Sequence, residues 1–292
     1  MKVLVTGANG FVGTNLRRFL ASHGHVCATL DLADADYGWD DLGRIPFETF
    51  DAVVHLAGKA HDLKKVASEQ SYFDVNVGLT ERIFAACAAQ RLTFVYFSSS
   101  KASPEGNAYG RSKFAAEEFL KSAAGRPRVV ILRPAMIHGP GNKGNLNLLW
   151  KVARRGFPWP LAAFENRRSF TSVGNVCAVV EAIASGGISR PSEDGRPSAY
   201  FVADDEPVST NRIIGLMAEA SGRRARLWRL PKGLMRLAAR VGDVLHLPLT
   251  TERLEKLTED CIVDNYELKK ALGWTAMPVR AEDGLRETLK NL

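Results

Sequence analysis

Tyr109-Gly-Arg-Ser-Lys113 sets a phenol and an ammonium four residues apart. On a helix that spacing places both side chains on one face, one turn apart. A nearby ammonium favours the phenolate and draws a tyrosine pKa down from about 10, toward a value useful for proton transfer. Alone, such a pair is common by chance, and its bland alternative is a surface tyrosine beside a solvated lysine. Here it follows Ser98-Ser99-Ser100, which end the apolar run Leu92–Phe97, and this makes it more specific.

The elements that must position this pair begin at the first residue. Val3, Leu4 and Val5 form an apolar run suited to a buried parallel strand. Glycines follow at 7, 10 and 13, and an amphipathic helical pattern (Phe11, Leu16, Phe19, Leu20) starts at once. Gly7 allows the tight turn, Gly10 lets a pyrophosphate approach the backbone, and Gly13 lets the helix pack closely on the strand. The helix N-terminus then supplies free N–H groups and positive potential for the phosphates. A second strand, His25–Leu30, ends at Asp31, eighteen residues after Gly13. A carboxylate there accepts hydrogen bonds from the adenosine ribose hydroxyls. No Arg or Lys follows until Arg44, so NAD is expected rather than NADP.

Short strands at Asp51–Ala57, Leu92–Phe97 and Val129–Leu132 alternate with helical stretches at Phe73–Ala89 and Tyr109–Ala124. That alternation predicts an α/β Rossmann fold, a doubly wound parallel sheet covered on both faces. Ligands of such sheets bind outside the carboxyl ends of the strands, where Gly7, Ala57, Ser98–Ser100 and Arg133 converge. Beyond residue 140 the pattern loosens. Helices are expected at Asn175–Ile183, from Ser209/Thr210 through Glu219, and over 251–258 and 264–272. Ser185–Pro197 reads as a polar connection, and Ala199–Ala203 as a strand returning to the sheet. The division expected is an NAD-binding domain over 1–165, with a returning segment near 170–205, and a smaller, mostly helical substrate-binding domain over 166–292.

With 292 residues, 46% of them hydrophobic, the chain is long enough for a core of ordinary globular kind. Cys27, Cys87, Cys177 and Cys261 are scattered, with no CxxC or Cys/His cluster; they read as reduced packing residues, and no metal site is expected. No signal peptide and no run near the ~18 apolar residues of a membrane span is found, which predicts a cytoplasmic protein. The net charge of +7 suits a polyanionic ligand, and no nucleic-acid motif accompanies it.

Taken together these motifs resemble the extended short-chain dehydrogenases/reductases, close to the nucleotide-sugar epimerase/dehydratase family. The resemblance rests on Thr6-Gly-Ala-Asn-Gly-Phe-Val-Gly13, Asp31, His55-Leu-Ala-Gly58, Asn76, Ser98–Ser100, Tyr109/Lys113 and Leu132-Arg-Pro134 with Gly139-Pro-Gly141. It continues through Asn166–Phe170, Val173–Val176 and Val263-Asp-Asn265, so it covers nearly the whole chain. It implies Tyr109 as acid/base on a sugar hydroxyl, Lys113 as its pKa tuner and a holder of the nicotinamide ribose, and Ser100 on the same hydroxyl or keto oxygen. It implies cofactor contacts from Gly7, Asn9, Gly10, Phe11, Val12, Asp31, Leu56, Ala57, Gly58, Asn76, Ser98, Tyr109, Lys113 and Pro134. For the substrate it implies Ser100, Lys101, Arg168 (or Arg167) and Arg253, the arginines because a planar guanidinium suits a diphosphate. The activity implied is NAD-dependent 4-epimerisation of a UDP-sugar, a UDP-N-acetylhexosamine or UDP-hexose, in surface polysaccharide synthesis. A 4-ketoreductase of a UDP-4-keto-6-deoxy sugar, or a catalytically idle cofactor-binding regulator, are the alternatives. A homodimer through the Tyr109 helix and its neighbour is also implied.

The chain departs from the family pattern at several places. Only eight residues separate Ser100 from Tyr109, which shortens the lid over the sugar. Residues 32–50 are short for the usual third strand. No asparagine stands near Met136. Lys101-Ala102 replace the Asp-Glu pair of 4,6-dehydratases, which disfavours dehydration. His55 is expected packed and hydrogen-bonded below the nicotinamide side, His61 has no metal partners, and His138 is expected to line the site. The basic stretch Arg223–Leu247 reads as a helix with one buried stripe and a solvated basic face; a surface for a polyprenyl-linked sugar at the membrane is the weaker reading.

Overall fold

In the computed structural model, residues 1–60, 68–123, 125, 127–142, 146–188, 197–247 and 249–291 are described. The expected position of His61 and most of the Ser185–Pro197 connection lie outside them. In chain order the elements are β1 (Lys2–Thr6), α1 (Phe11–Ser22), β2 (Val26–Leu30), β3 (Ala52–His55), α2 (Glu69–Phe73), α3 (Leu79–Cys87), β4 (Thr93–Phe97), α4 (Ala108–Ser122) and β5 (Arg128–Pro134). They continue with β6 (Met136–His138), α5 (Leu146–Ala153), β7 (Phe170–Ser172), α6 (Val173–Ala184), β8 (Ser198–Val202), α7 (Thr210–Ala220), α8 (Lys232–Leu245), α9 (Thr251–Thr258), α10 (Tyr266–Leu272) and α11 (Ala281–Lys290).

The chain forms two compact units, each made of three segments. The first comprises Met1–Ala135, Val173–Ala203 and Asp264–Pro278; the second comprises Met136–Ser172, Asp204–Val263 and Val279–Leu292. The sheet-bearing unit thus leaves its first segment at Ala135, earlier than the expected boundary at 165, and takes in residues 264–278, which were expected in the other domain.

The first unit holds a six-stranded parallel sheet in the order β2-β1-β3-β4-β5-β8. Every residue of β3 and β4 is buried, which requires helices over both faces and explains why these strands read as continuous apolar runs. β2 stands at the sheet edge, and among the described residues no strand lies beyond it, as the brevity of residues 32–50 predicts. That segment serves the core instead. Trp39, Ile45, Phe47 and Phe50 pack with Leu4, Phe84, Phe94 and Tyr96, while the Asp36 carboxylate accepts the Thr29 N–H and Oγ1–H, each at 2.9 Å.

The expected helix over Phe73–Ala89 is two helices, α2 and α3, joined by a π turn at Asp74–Gly78. In the second unit, β6 and β7 pair as a two-stranded parallel sheet. Around it α5, α7, α8, α9 and α11 share one core built on Trp159, Phe164, Phe170, Ile213, Met217, Met235, Leu254 and Leu285. All four cysteines are free thiols; Cys87 and Cys177 are buried and Cys27 half-buried, but Cys261 is exposed and does not pack as expected. Among the described residues, no helix is long and apolar enough to cross a membrane.

Candidate active site

At the end of β1 the chain turns through Gly7, whose φ of +66° is a conformation that favours glycine. A Cβ on Gly13 would lie 2.4 Å from the Gly7 carbonyl oxygen, and one on Gly7 would lie 2.7 Å from the Ala57 nitrogen. Backbone therefore meets backbone at this turn, and no larger residue fits without displacing it. Gly10 is the N-cap of α1, no side chain caps it, and the first turn holds no acid. The first N–H groups of α1 are left for an anion. Asn9 and Gly10 are exposed on this turn and Phe11 and Val12 half-buried.

Asp31 stands at the end of β2, beside the cradle. Its Oδ2 accepts the Asn9 N–H at 2.8 Å and its Oδ1 the Leu32 N–H at 2.8 Å. A cation is also near, and it comes from α1: Arg17 Nη1 donates to Asn9 Oδ1 at 3.2 Å. The sequence search downstream of Asp31 did not place it. An uncapped helix start, a turn that only glycine fits and a carboxylate at the next strand end suit the diphosphate and ribose of a dinucleotide.

At the end of β3, Leu56 and Ala57 are half-buried and Gly58 is exposed. The Leu56 and Ala57 N–H groups donate to the Thr6 carbonyl and Thr6 Oγ1, each at 3.2 Å. Asn76, fully buried on the π turn, accepts the Lys59 N–H through Oδ1 (2.8 Å) and donates to the Lys59 carbonyl (3.0 Å) and Ser112 Oγ (2.9 Å). Its amide thus fixes the chain after β3 to α4. Extra-wide turns of this kind recur at functional sites. His55 is buried as expected, against Thr6 Oγ1 at 2.7 Å and Thr80 Oγ1 at 3.0 Å. Burial first, and the Lys113 charge second, push its pKa down to about 3.

The short segment after Ser100 folds against α4. The Asn107 side chain accepts the Gly110 N–H at 2.9 Å to cap the helix, and a Cβ on Gly110 would meet the Lys101 carbonyl at 2.4 Å. Tyr109 and Lys113 then lie on successive turns of α4. Lys113 is only 5% exposed. Its Nζ donates to the Phe97 carbonyl at 2.8 Å and stands 4.9 Å above the Tyr96 ring. A Cβ on Gly58 would lie 2.8 Å from Asn76 Oδ1 and 3.0 Å from Lys113 Nζ, so ammonium, amide and exposed glycine converge. Burial pulls the Lys113 pKa down to about 8, with the Glu117 charge opposing.

The Tyr109 pKa is raised, which corrects the expectation of a lowered one. Burial penalises the phenolate more than its surroundings favour it, and the hydroxyl that pulls the other way is that of Ser99. Ser100, expected on the sugar hydroxyl or keto oxygen, donates its backbone N–H to the Pro134 carbonyl at 3.0 Å. Ser98 Oγ is turned away, into Glu117. Glu117 is fully buried one turn beyond Lys113, and Arg133 grips it through Nε at 2.9 Å and Nη2 at 2.5 Å. Sequence reasoning missed Glu117, although its signal was present: Tyr109, Lys113 and Glu117 recur every four residues.

The remaining candidates divide between the units. Pro134 is buried at the end of β5, and Lys101 is exposed with its N–H on Ser99 Oγ at 3.2 Å. Arg168 and Arg253 belong to the second unit. Arg168 gives Nη1 to the Lys256 carbonyl in α9, and Arg253 is exposed on that helix. His138 also belongs there and is fully buried between Thr288 Oγ1 (2.8 Å) and Asp204 Oδ2 (3.4 Å), which corrects its expected place lining the site.

The first unit is therefore that of a dinucleotide-binding α/β protein with a Tyr/Lys pair at the strand ends. Comparison with known proteins agrees. Residues 3–187 match the model of the NAD dependent epimerase/dehydratase family. The chain is 26% identical to UDP-glucose 4-epimerase of Vibrio cholerae over 322 residues, covering 98% of this chain and 94% of that protein. It is 34% identical to UDP-2-acetamido-2,6-beta-L-arabino-hexul-4-ose reductase of Pseudomonas aeruginosa over 157 residues, 50% of this chain and 38% of that one. The crystal structure of UDP-N-acetylglucosamine 4-epimerase from Bacillus cereus superposes with a TM-score of 0.73 at 17% identity, over 99% and 98% of the two chains. The chain belongs to the NAD-dependent epimerase/dehydratase family, and its cofactor is NAD.

Proposed function

We propose that this chain is a 4-epimerase of a UDP-sugar, a UDP-N-acetylhexosamine or UDP-hexose, working through a 4-keto sugar in surface polysaccharide synthesis. The observation that carries the proposal is the Tyr109–Lys113 pair, both on α4, with Lys113 tied to the Phe97 carbonyl at the end of the strand beside β3. Bound at the glycine cradle, NAD supplies the hydride acceptor and donor for sugar C4. Tyr109 takes the 4-hydroxyl proton as C4 is oxidised and returns it when the keto sugar, turned over, is reduced on its other face. Lys113, a cation below about pH 8, would hold the nicotinamide ribose, and the Ser99 hydroxyl opposes the burial that disfavours the Tyr109 phenolate. Ser99 holds the phenol oxygen, and Ser100 and Lys101 are the candidates for the sugar. The first unit acts as the NAD-binding part and the second as the substrate-binding part.

The second reading is a single reduction of a UDP-4-keto sugar by the same residues. The 34% identity of half the chain to a hexulose reductase favours it. Proton NMR with UDP-N-acetylglucosamine and a catalytic trace of NAD decides between the two. Epimerisation gives the galacto anomeric signal, lost in Tyr109→Phe. No conversion, with NADH consumed on a UDP-4-keto-6-deoxy sugar, transfers the protein to the reductases. Failure of both would leave an idle cofactor-binding regulator.

A further inference from the structure

α8 carries two apolar faces, and the protein core uses only the smaller. Met235, Ala239 and Gly242 are buried. Met235 and Ala239 join the core of the second unit, and a Cβ on Gly242 would lie deep inside the Leu249 carbonyl, 1.8 Å from its oxygen. The helix is also clasped at its end, where the Asp243 carboxylate accepts the Thr251 N–H at 2.9 Å and its hydroxyl at 2.5 Å. Its rotation on the unit is thereby fixed, with one stripe buried and the basic residues exposed, as expected; the second, larger apolar stripe was not expected. Leu234, Leu237, Val241, Val244 and Leu245 recur at helical spacing on the opposite side, and all are exposed, Leu237 at 58% and Val244 at 76%.

Beside this stripe runs a row of cations. At about 100° per residue, Lys232, Arg236 and Arg240 fall within a quarter turn of one another, along one edge of the exposed apolar face. All three are exposed. Among the described residues, no carboxylate pairs with Arg236 or Arg240. Asp243, the acid of this helix, is held by Thr251. Arg223, Arg224 and Arg226 precede the helix, as does Arg229, which pairs with Glu165 at 3.4 Å, and the chain carries a net charge of +7. Fourteen residues make a rod of about 21 Å, too short to span a hydrocarbon core of about 30 Å. A helix with a fixed inner face, an exposed aliphatic stripe and a cationic edge is built to lie in a plane between lipid tails and anionic headgroups.

We propose that α8 docks the protein on an anionic phospholipid bilayer, with Leu234, Leu237, Val241 and Val244 entering the acyl boundary and Arg236 and Arg240 at the headgroups, while Lys232 Nζ stands 5.6 Å from the Phe164 ring centroid. Charge favours this occupant over a second copy. A two-fold, antiparallel pairing of α8 with itself sets both cationic rows along the same edge, with Arg236 of each copy toward Arg240 of the other. The proposal does not depend on which sugar the enzyme acts upon.

The test is flotation of the whole protein with vesicles of phosphatidylcholine, with and without phosphatidylglycerol. The protein should float with the anionic vesicles, remain at the bottom with neutral ones, and be released as salt shortens the screening length. Leu237→Glu combined with Val244→Glu should weaken binding about tenfold or more. Arg236→Gln and Arg240→Gln should each weaken it about fivefold. Both sets lie on exposed positions, so thermal melts and NAD binding should match the parent. The proposal is overturned if the parent stays down with anionic vesicles at low salt, or if folded Leu237→Glu/Val244→Glu floats undiminished. It is equally overturned if light scattering shows that those substitutions halve the particle mass without lipid, since the face would then join copies of the chain.

Discussion

Glu117 and Arg133 form a buried ion pair whose loss can be separated into parts. In Glu117→Leu, the Arg133 guanidinium loses two charge-assisted bonds, at 2.9 and 2.5 Å, and the Ser98 hydroxyl loses its acceptor. Removing one member of a buried pair costs about 3–5 kcal/mol, and an orphaned buried hydroxyl about 1–3 kcal/mol; the two overlap because they share one carboxylate. The Arg133 side chain keeps 20% of its surface exposed, so water reaches it, and the expected loss is at the lower end, about 3 kcal/mol. Arg133→Met leaves the carboxylate, which has no exposed surface, only the Lys121 ammonium at 3.8 Å, and should cost about 3–4 kcal/mol. The double variant removes both charges together and should lie within about 1–2 kcal/mol of the parent, because apolar replacement of a whole pair is close to neutral. Urea unfolding followed by circular dichroism measures all four proteins, with equal slopes required before midpoints are compared. If the double variant loses the sum of the singles, the residues are not coupled, and the account of Glu117 as the acceptor that holds Ser98 and Arg133 together fails.

Three further outcomes follow from the same site. Gly13→Ala should weaken NAD binding at least about tenfold by calorimetry, since its Cβ would sit 2.4 Å from the Gly7 carbonyl oxygen; unchanged affinity would refute the cradle. His55 has a folded-state pKa of about 3 against an ordinary 6.5, so the unfolded chain takes up its proton first as pH falls. Stability should therefore drop below about pH 6.5, by about 1.4 kcal/mol per pH unit from this group, and chemical melts of His55→Asn at pH 7 and pH 5 should show a shallower loss than the parent. Ser99 is the group that draws the Tyr109 pKa down against burial. Ser99→Ala should move the rising limb of kcat/KM to higher pH while Ser100→Ala leaves it in place; the reverse result would refute Ser99 as the hydroxyl on the Tyr109 phenol.

The strands, the glycine turn and the Tyr109/Lys113 pair were legible because each depends on residues close in sequence: apolar runs, a φ that favours glycine, a four-residue spacing. What was not legible depends on partners brought by the sheet. Glu117 looks like an ordinary helix acid until β5 sets Arg133 against it, and Arg17 looks like a surface residue until the turn after β1 places Asn9 within its reach. Ser99 and Ser100 are adjacent and chemically identical, and only the backbone at the end of β4 decides which hydroxyl meets the phenol. β6 and β7, three residues each, are too short to leave an alternating pattern, and α11 has Glu282 and Asp283 in its first turn and carries only a thin apolar stripe. In α8 one buried stripe was legible, but which of its apolar residues form it was not. The close approach of Leu249 to Gly242 chose between them.

The threading of the chain also bears on how it is made. A ribosome delivers the segments in order, yet the first unit is not assembled until residue 278 has left the tunnel. Until residue 184 has emerged α1 lacks α6, whose buried positions include Val176, Val179, Val180 and Ile183; until residue 202 β5 lacks β8 as its neighbour, and until residue 272 β8 lacks α10. A fragment stopped at residue 165 would hold the whole nucleotide turn and the Tyr109 helix but would leave that edge and that face bare. Synthesis at about 5–20 residues per second keeps the intermediate waiting for several seconds, which makes this a chain whose nascent form calls for a chaperone and whose truncation for expression is best avoided.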